Sequence, residues 1–156
     1  MLNIVLFEPE IPANTGNIIR LCANTGAQLH LIQPLGFLLD DKRLRRAGLD
    51  YHEWVNIHQY ANLEDYLDRA QPRRLFAMTT KGSRQYSDVR YQSGDALMFG
   101  PESRGLPAGF LSTQPLENRI YLPMKPESRS LNLSNSVSIA LFEAWRQMDF
   151  AGAIIK

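Results

Sequence analysis

Short apolar runs separated by helical segments are the feature that most constrains the fold of this chain. Each run is rich in aliphatic or aromatic residues and is followed by Gly, Pro or polar residues, which predicts a buried strand. The runs are Leu2 to Phe7, Leu29 to Ile32, Leu75 to Thr79, Ala96 to Phe99 and Ile120 to Leu122, with Val55 to His58 as a weaker candidate. Strands alternating with helices predict an α/β fold, with a mostly parallel sheet and helices on both faces. In such sheets, ligands bind beyond the carboxyl ends of the strands.

The C-terminal helix, predicted from Val137 to Met148, carries apolar residues at helical spacing on two faces. One face comprises Val137, Leu141, Ala144 and Met148, and the other comprises Ile139, Phe142 and Trp145. Because one face suffices for packing on the sheet, the second predicts the interface of a symmetric homodimer.

Two further helices are predicted from their end signals. The first runs from Ile18 to Thr25 and is stopped by Gly26, after a loop that contains Pro9 and Pro12. The other begins at Asn62, reaches about Ala70 and is stopped by Pro72. Cys22 falls on the apolar face of the first helix and is expected in the core.

Length and composition restrict the classes of function. At 156 residues, the chain is predicted to form one domain over residues 1–156. Its 17 Lys and Arg face 16 Asp and Glu, so affinity for nucleic acid has to come from local clusters. The single cysteine excludes an internal disulfide, and the three histidines show no metal-ligand spacing, so no metal is expected. Neither a leader nor a membrane-spanning run is recognised, and a cytoplasmic location is expected.

Three polar loops that each follow a predicted strand form the candidate binding site. They are Glu8 to Arg20, Gly100 to Pro107 and Pro123 to Ser136, and parallel strands would bring them to one edge of the sheet. Gly100 allows a ligand to approach the backbone, and prolines stiffen its loop. The alternative interpretation of the loop Gly100 to Pro107 is an ordinary Gly/Pro turn. Neither a dinucleotide-binding G-x-G-x-x-G pattern nor a Walker P-loop is present, and the histidines lie outside the three loops, which argues against a Ser-His-Asp set.

The stretch Arg129 to Ser136 leads directly into the C-terminal helix. Asn132, Ser134 and Asn135 are all favourable N-cap residues. The free N–H groups of a helix N-terminus can bind a carboxylate or a phosphate, although capping alone also explains these residues.

The segment Asp40 to Arg46 contains four cations, Lys42, Arg43, Arg45 and Arg46. It is open to two interpretations, as the solvated face of a short helix or as a contact for RNA phosphates.

Three segments together resemble the motifs of the SPOUT methyltransferases, in their SpoU branch. They are Asn14-Thr-Gly-Asn-Ile-Ile-Arg20, Phe99-Gly-Pro-Glu-Ser-Arg-Gly-Leu106 and Ser130-Leu-Asn-Leu-Ser-Asn-Ser-Val137. The similarity covers essentially the whole chain and is greatest to the minimal tRNA wobble-nucleotide 2′-O-methyltransferases. It implies S-adenosylmethionine as methyl donor, a C-terminal trefoil knot, a homodimer, and the anticodon stem-loop of leucine tRNAs as substrate. Phe142 departs from this pattern, which implies a tyrosine there.

The resemblance also implies which residues form the site. The cofactor would contact Met78, Thr79, Gly100, Leu122, Met124, Ser130 and Leu131. The RNA would contact Asn14, Asn17, Arg20, Lys42, Arg43, Arg45, Arg46, Glu102 and Arg129. Arg20 would be the catalytic residue. Since the reference pKa of arginine lies far above 7, a neutral Arg20 at pH 7 would cost roughly 7 to 9 kcal/mol. We therefore expect a cation that aligns the ribose and stabilises alkoxide character, and not a base.

Two other functions are compatible with parts of the sequence. One is a tRNA-binding protein that retains the pocket without turnover, and the intact Arg20 with all three motifs argues against it. The other is a small nucleotide-binding α/β module of flavodoxin type, which leaves the Gly100 to Pro107 and Ser/Asn loops unexplained.

Overall fold

The computed structural model describes all residues from 1 to 156. In chain order the elements are β1 (Asn3–Phe7), α1 (Pro12–Thr25), β2 (Gln28–Ile32), α2 (Asp41–Arg46), α3 (Tyr51–Trp54), β3 (His58–Tyr60), α4 (Leu63–Ala70), β4 (Leu75–Met78), β5 (Arg84–Gln85), β6 (Ala96–Phe99), α5 (Ala108–Thr113), β7 (Arg119–Tyr121) and α6 (Leu133–Gln147), with 3₁₀ helices at Tyr86–Asp88 and Leu116–Asn118. None of the helices is both long and apolar enough to cross a membrane.

The seven strands form a single sheet in the order β3-β2-β1-β6-β4-β7-β5. Every pairing in it is parallel. The predicted α/β class and parallel sheet are therefore confirmed.

Side chains of alternate residues in the central strands pack into two cores, one on each face of the sheet. On one face, Ile4 and Leu6 join a cluster with residues of α1, α2, α3 and α6, including the buried Cys22. On the other, Val5 and Phe7 pack with Tyr66 of α4, and α5 adds partly buried residues. Helices thus cover both faces of the sheet, as predicted from the alternation of strands and helices.

Several predicted boundaries are wrong, each for a local reason. Helix α1 begins at Pro12 and not at Ile18, because proline fits the first helical position, where its missing N–H would have no partner. Helix α6 begins at Leu133, since Asn132 caps it. Strand β3 starts at His58, because Val55 is the C-cap of α3. Elements α3, α5 and β5 were not predicted, and each has six residues or fewer.

The loop 79–83 crosses over β7. Strand β5 follows β4 closely in sequence, yet β7 lies between them in the sheet. Backbone N–H groups of Thr79 and Ser83 donate to the carbonyls of Ile120 and Arg119, at 2.9 Å in both cases. A Cβ on Gly82 would lie 2.5 Å from the carbonyl carbon of Ile120, so the crossing requires glycine.

His30 has a structural role in the sheet. It lies buried in the sheet, with its ring nitrogens 2.8 Å from the Tyr60 hydroxyl and 2.9 Å from Asn3 Oδ1. Burial, together with the charge of neighbouring His58, lowers the pKa of His30 to about 4. The ring is therefore neutral at pH 7 and serves as a hydrogen-bonding core residue.

Candidate active site

A cavity of about 780 Å³ opens where β4, β6 and β7 end. This volume lies within the range of roughly 300 to 1,000 Å³ that small-molecule sites occupy. All three polar loops contribute to its wall, so the site lies at the sheet edge predicted for parallel strands.

All the residues predicted to contact a cofactor line this cavity. They are Met78, Thr79, Gly100, Leu122, Met124, Ser130 and Leu131. The side chains of Met124 and Leu131 are each 40% exposed, which leaves apolar surface open to a ligand. The sequence does not reveal the contribution of Lys81 or of Leu111, because both lie outside the three predicted binding loops and α5 is not predicted.

Gly100 is required by the tight return of its own loop. A Cβ there would lie 2.3 Å from both the carbonyl carbon of Gly105 and the nitrogen of Leu106. Gly105 itself has φ of 69°, in the left-handed region that favours glycine. The loop therefore presents backbone to the cavity and has no room for a side chain at residue 100.

Glu102 caps α1 from a distant loop. Its carboxylate accepts hydrogen bonds from the backbone N–H of Glu10 (2.8 Å) and Ile11 (2.9 Å), and from Asn14 Nδ2 (3.1 Å). The N-cap residue of α1, Ile11, has no side chain that could serve, so Glu102 satisfies donors that would lack partners. This geometry gives Glu102 a structural role, while its contact with RNA stays a prediction.

Glu10 makes the reciprocal connection to the same loop. Its carboxylate accepts from Ser103 through both the backbone N–H (2.8 Å) and the hydroxyl (2.9 Å). These bonds with Ser103 lower the pKa of Glu10. Arg104 also forms an ion pair with Glu8, so the loop after β1 and the loop after β6 are held together from both sides.

Asn14 and Asn132 join the third loop to the other two. Asn132 Nδ2 donates to Asn14 Oδ1 at 3.0 Å, and Asn132 Oδ1 accepts from the backbone N–H of Ser134 at 2.9 Å. Asn132 is thus the N-cap of α6, as the sequence allowed, whereas Ser134 and Asn135 lie in the first turn. Asn14 is buried between Glu102 and Asn132, so one hydrogen-bonded chain connects all three motifs.

Arg20 lies outside the cavity, on the exposed side of α1. Its Nε donates to Glu53 Oε2 at 2.9 Å, and its Nη2 donates to the Gly48 carbonyl and to Glu53 Oε1. The side chain is 50% exposed. Hydrogen bonding to Glu53 raises the pKa of Arg20, which favours the cation and opposes a role as base. Asn17, also predicted to contact RNA, is exposed on α1 and does not line the cavity.

The four cations of the basic segment have different environments. Arg43 pairs with Asp40, the N-cap of α2, and the Arg45 guanidinium lies 6.0 Å from the Trp54 ring centroid. Lys42 and Arg46 are exposed and form no ion pair. Arg129, from the loop before α6, is also exposed. Only Asn14 and Glu102 of the predicted RNA contacts reach the cavity wall.

One acidic cluster brings together possible metal ligands. Single ligand atoms of Asp50, His52 and Glu53 lie within 4.8 Å of one another. Both carboxylates belong to the capping box of α3, and Glu53 also pairs with Arg20. Their oxygens are therefore used by the chain itself.

The fold and the cavity define a parallel α/β protein whose candidate ligand site is formed by three hydrogen-bonded loops at the carboxyl edge of the sheet. The chain belongs to the SpoU rRNA Methylase family, whose pattern matches residues 1–142. The resemblance carried by the three motifs is thereby confirmed.

Individual relatives are similar over nearly the full length. The chain is 60% identical over 156 residues to the tRNA (cytidine(34)-2′-O)-methyltransferase of Escherichia coli (strain K12), covering 100% of this chain and 99% of the relative. A solved structure described as giving insights into the 2-OH methylation of C/U34 on tRNA has a TM-score of 0.87 and 43% identity, covering 96% of this chain and 97% of that one. An AdoMet-bound rRNA methyltransferase from Sinorhizobium meliloti has a TM-score of 0.79 and 28% identity, covering 94% of this chain and 56% of that one.

Proposed function

We propose that this protein transfers a methyl group from S-adenosylmethionine to the ribose 2′-hydroxyl of nucleotide 34 in tRNA, where that nucleotide is cytidine or uridine. The single observation that carries the proposal is the hydrogen-bonded connection of the three motif loops around the cavity, in a chain 60% identical throughout to an enzyme of this activity. A cytoplasmic location is part of this proposal, and it is supported by tRNA as the substrate and by the free cysteine Cys22, which stays reduced there.

The residues of the cavity fit S-adenosylmethionine. Met124 and Leu131 offer exposed apolar surface for a base, and Gly100 and Gly105, which have no side chains, line the cavity with backbone. Thr79 and Ser130 add hydroxyls that can orient polar groups of the ligand. When bound, S-adenosylmethionine supplies an electrophilic methyl group on a sulfonium. Affinity for S-adenosylmethionine in the absence of RNA is expected, since these loops are already held in place.

Arg20 acts on the RNA as a cation. Methyl transfer to a hydroxyl is an in-line displacement, so alignment of the 2′-oxygen accounts for much of the catalysis. Arg20 follows Asn14 by six residues on α1, about 9 Å at ~1.5 Å per residue, so RNA lying along the helix can contact Arg20 while a ribose reaches the cavity. There the guanidinium binds the phosphate adjacent to the target ribose and so aligns the 2′-oxygen, which is the role of a cation and not of a base.

The chain is further proposed to form a C-terminal trefoil knot. Support comes from the loop 79–83, which crosses β7 so closely that Gly82 cannot carry a side chain. In the proposed knot, the segment after β7 would pass under this loop before it forms α6. The knot would explain why residues from both the loop 79–83 and the segment 122–131 line one cavity.

The homodimer is likewise a proposal, supported by the outer face of α6. Ile139 and Phe142 lie one helical turn apart there and are 40% and 44% exposed. Trp145, predicted for the same face, instead packs on the core and donates from Nε1 to the Ala151 carbonyl at 3.0 Å. Light scattering at micromolar concentration is expected to give twice 17.8 kDa, and a monomer would contradict the proposal.

The proposed activity is tested by incubating the pure protein with labelled S-adenosylmethionine and bulk tRNA, followed by nucleoside analysis. A 2′-O-methylated cytidine or uridine at position 34 is expected. A matched tRNA with a 2′-deoxyribose at position 34 controls for methylation elsewhere. Binding of tRNA without any methylated product would favour the silent RNA-binding protein, and isolation of the methylated tRNAs identifies the isoacceptors used.

A further inference from the structure

Glu53 holds Arg20 through an arrangement that is itself fixed. Its Oε1 accepts from the backbone N–H of Asp50 at 2.8 Å, and the reciprocal bond completes a capping box at the start of α3. The Glu53 side chain is only 7% exposed, whereas that of Arg20 is 50% exposed. A largely covered carboxylate, anchored to backbone, therefore lies beneath a guanidinium that faces solvent.

The donors of Arg20 are divided between the chain and the solvent. A guanidinium has five N–H groups. Those on Nε and Nη2 bind Glu53 and the Gly48 carbonyl. Nη1 makes no hydrogen bond within the chain, so its donors point away from Glu53 and are free for an oxygen of RNA.

We propose that Glu53 is a positioning residue for methyl transfer, which fixes the guanidinium of Arg20 so that its free edge meets the RNA. The inference rests on the proposed function and extends it to a residue that lies outside the cavity and outside all three motifs. An unrestrained arginine samples many rotamers, whereas one bound on two sides is already placed when RNA arrives. Gly48 and Glu53 both follow the basic segment 42–46, so the part of the chain proposed to meet RNA phosphates also holds the catalytic arginine.

A purely structural role for Glu53, as the cap of α3, makes different predictions. Asp65 of α4 provides the comparison, because it accepts from the backbone N–H of Ala61 at 2.9 Å and pairs with Arg69 at 3.1 Å. It lies away from Arg20 and does not line the cavity. Asp65→Asn therefore removes a cap contact and an ion pair without touching the proposed site.

The test measures single-turnover methyl transfer at saturating tRNA and S-adenosylmethionine for Glu53→Gln, Glu53→Asp and Asp65→Asn. Glu53→Gln is expected to lower the rate by ten- to a hundredfold, on the scale of a misplaced catalytic group. Glu53→Asp, which keeps the charge on a shorter chain, should recover part of that rate. Affinity for S-adenosylmethionine should be unchanged in all three, and Asp65→Asn should retain the wild-type rate.

A second arm repeats Glu53→Gln in an Arg20→Ala background. If Glu53 acts through Arg20, the added substitution causes no further loss of rate. An equal further loss in that background, or a wild-type rate for Glu53→Gln alone, would overturn the role of Glu53. Thermal unfolding identifies any variant that fails to fold, in which case Glu53→Asp decides. A wild-type protein without methyl transfer would instead contradict the proposed function, and this role with it.

Discussion

The cavity loops and the surface around Arg20 are built in contrasting ways. The loops are joined to one another by side chains that bind within the chain, with Glu102, Asn14 and Asn132 connected by hydrogen bonds. The surface around Arg20, formed by the outer side of α1 with α2 and α3, instead carries long cationic side chains, and Lys42 and Arg46 have no ion pair. Preformed loops can bind a small ligand of fixed shape. An RNA-binding surface can instead leave its cations unpaired until the RNA phosphates bind to them.

The contrast predicts separable effects of substitution. Changes in the loops should cost folding stability and cofactor affinity together, because the same bonds shape the fold and the cavity. Changes on the Arg20 surface should affect RNA and leave the cofactor alone.

The largest effect is expected at Gly100. Gly100→Ala would place a Cβ 2.3 Å from backbone atoms of Gly105 and Leu106, which cannot move as a flexible side chain can. We expect the free energy of unfolding to fall by about 3 kcal/mol or more, at the upper end of overpacking costs, with S-adenosylmethionine binding lost. Gly109→Ala is the matched control, because a Cβ at residue 109 has no heavy atom within 4 Å. Equal stability of the two variants in urea unfolding would contradict the close return of the loop.

A smaller loss is expected for Glu102→Gln. The amide cannot accept at both positions, so one backbone N–H of Glu10 or Ile11 loses its partner, at a cost of about 1 to 3 kcal/mol. Cofactor affinity, measured by calorimetry, should fall as well, since α1 and the loop after β6 are no longer held together. Glu117→Gln, at an exposed residue with no such bonds, should change neither quantity. If Glu102→Gln keeps full stability and loses only RNA affinity, the result would instead support the predicted contact of Glu102 with RNA.

Neutralising the unpaired cations Lys42 and Arg46 tests the surface around Arg20. Replacing Lys42 and Arg46 by Gln should weaken tRNA binding and flatten its salt dependence by roughly one unit of slope per lost phosphate contact. Stability and cofactor affinity should not change, because neither side chain forms an ion pair or lines the cavity. An unchanged slope would mean that this segment is only a solvated helix face.

The smallest effect is expected at Gly16, where the two regions meet on α1. A Cβ there has no heavy atom within 4 Å, and glycine inside a helix costs about 0.5 to 1 kcal/mol relative to alanine. Gly16→Ala should therefore raise the free energy of unfolding by that amount. Destabilisation would show that the helix start is wrongly described. Weaker tRNA binding at unchanged cofactor affinity would extend the RNA surface to the first half of α1.

The sheet and the edge at which the three polar loops meet are predictable because their signals are local, whereas individual cavity residues such as Met78 and Leu122 are implied only by the family resemblance. Apolar runs that end at Gly, Pro or polar residues placed Gly100 and Ser130 at one edge of the sheet, where the structure has them. The helix start at Pro12 was missed because proline signals both a loop and a first helical position.

The hydrogen-bonded connections were not predictable, since they join residues distant in sequence. The resemblance implies an RNA contact for Glu102, and nothing in the sequence shows that α1 lacks a cap of its own, which Glu102 supplies. Glu53 was overlooked entirely, although Asp50 and Glu53 have the spacing of a capping box. That spacing predicts a helix start, but it says nothing of Arg20, which comes from another helix.

The most direct test of the division between cavity and Arg20 surface is single-turnover methylation by Arg20→Lys and Arg20→Ala across pH. Lysine, with a reference pKa of ~10.4, loses its proton more easily than arginine, yet lacks the planar fork that binds Glu53 on one side and, in the proposed role, RNA on the other. We predict that both variants lose at least about a hundredfold in rate, the scale seen on removing one preorganised donor, with S-adenosylmethionine affinity unchanged. Substantial activity of Arg20→Lys, rising with pH and levelling off near the pKa of lysine, would contradict the account and identify residue 20 as a base.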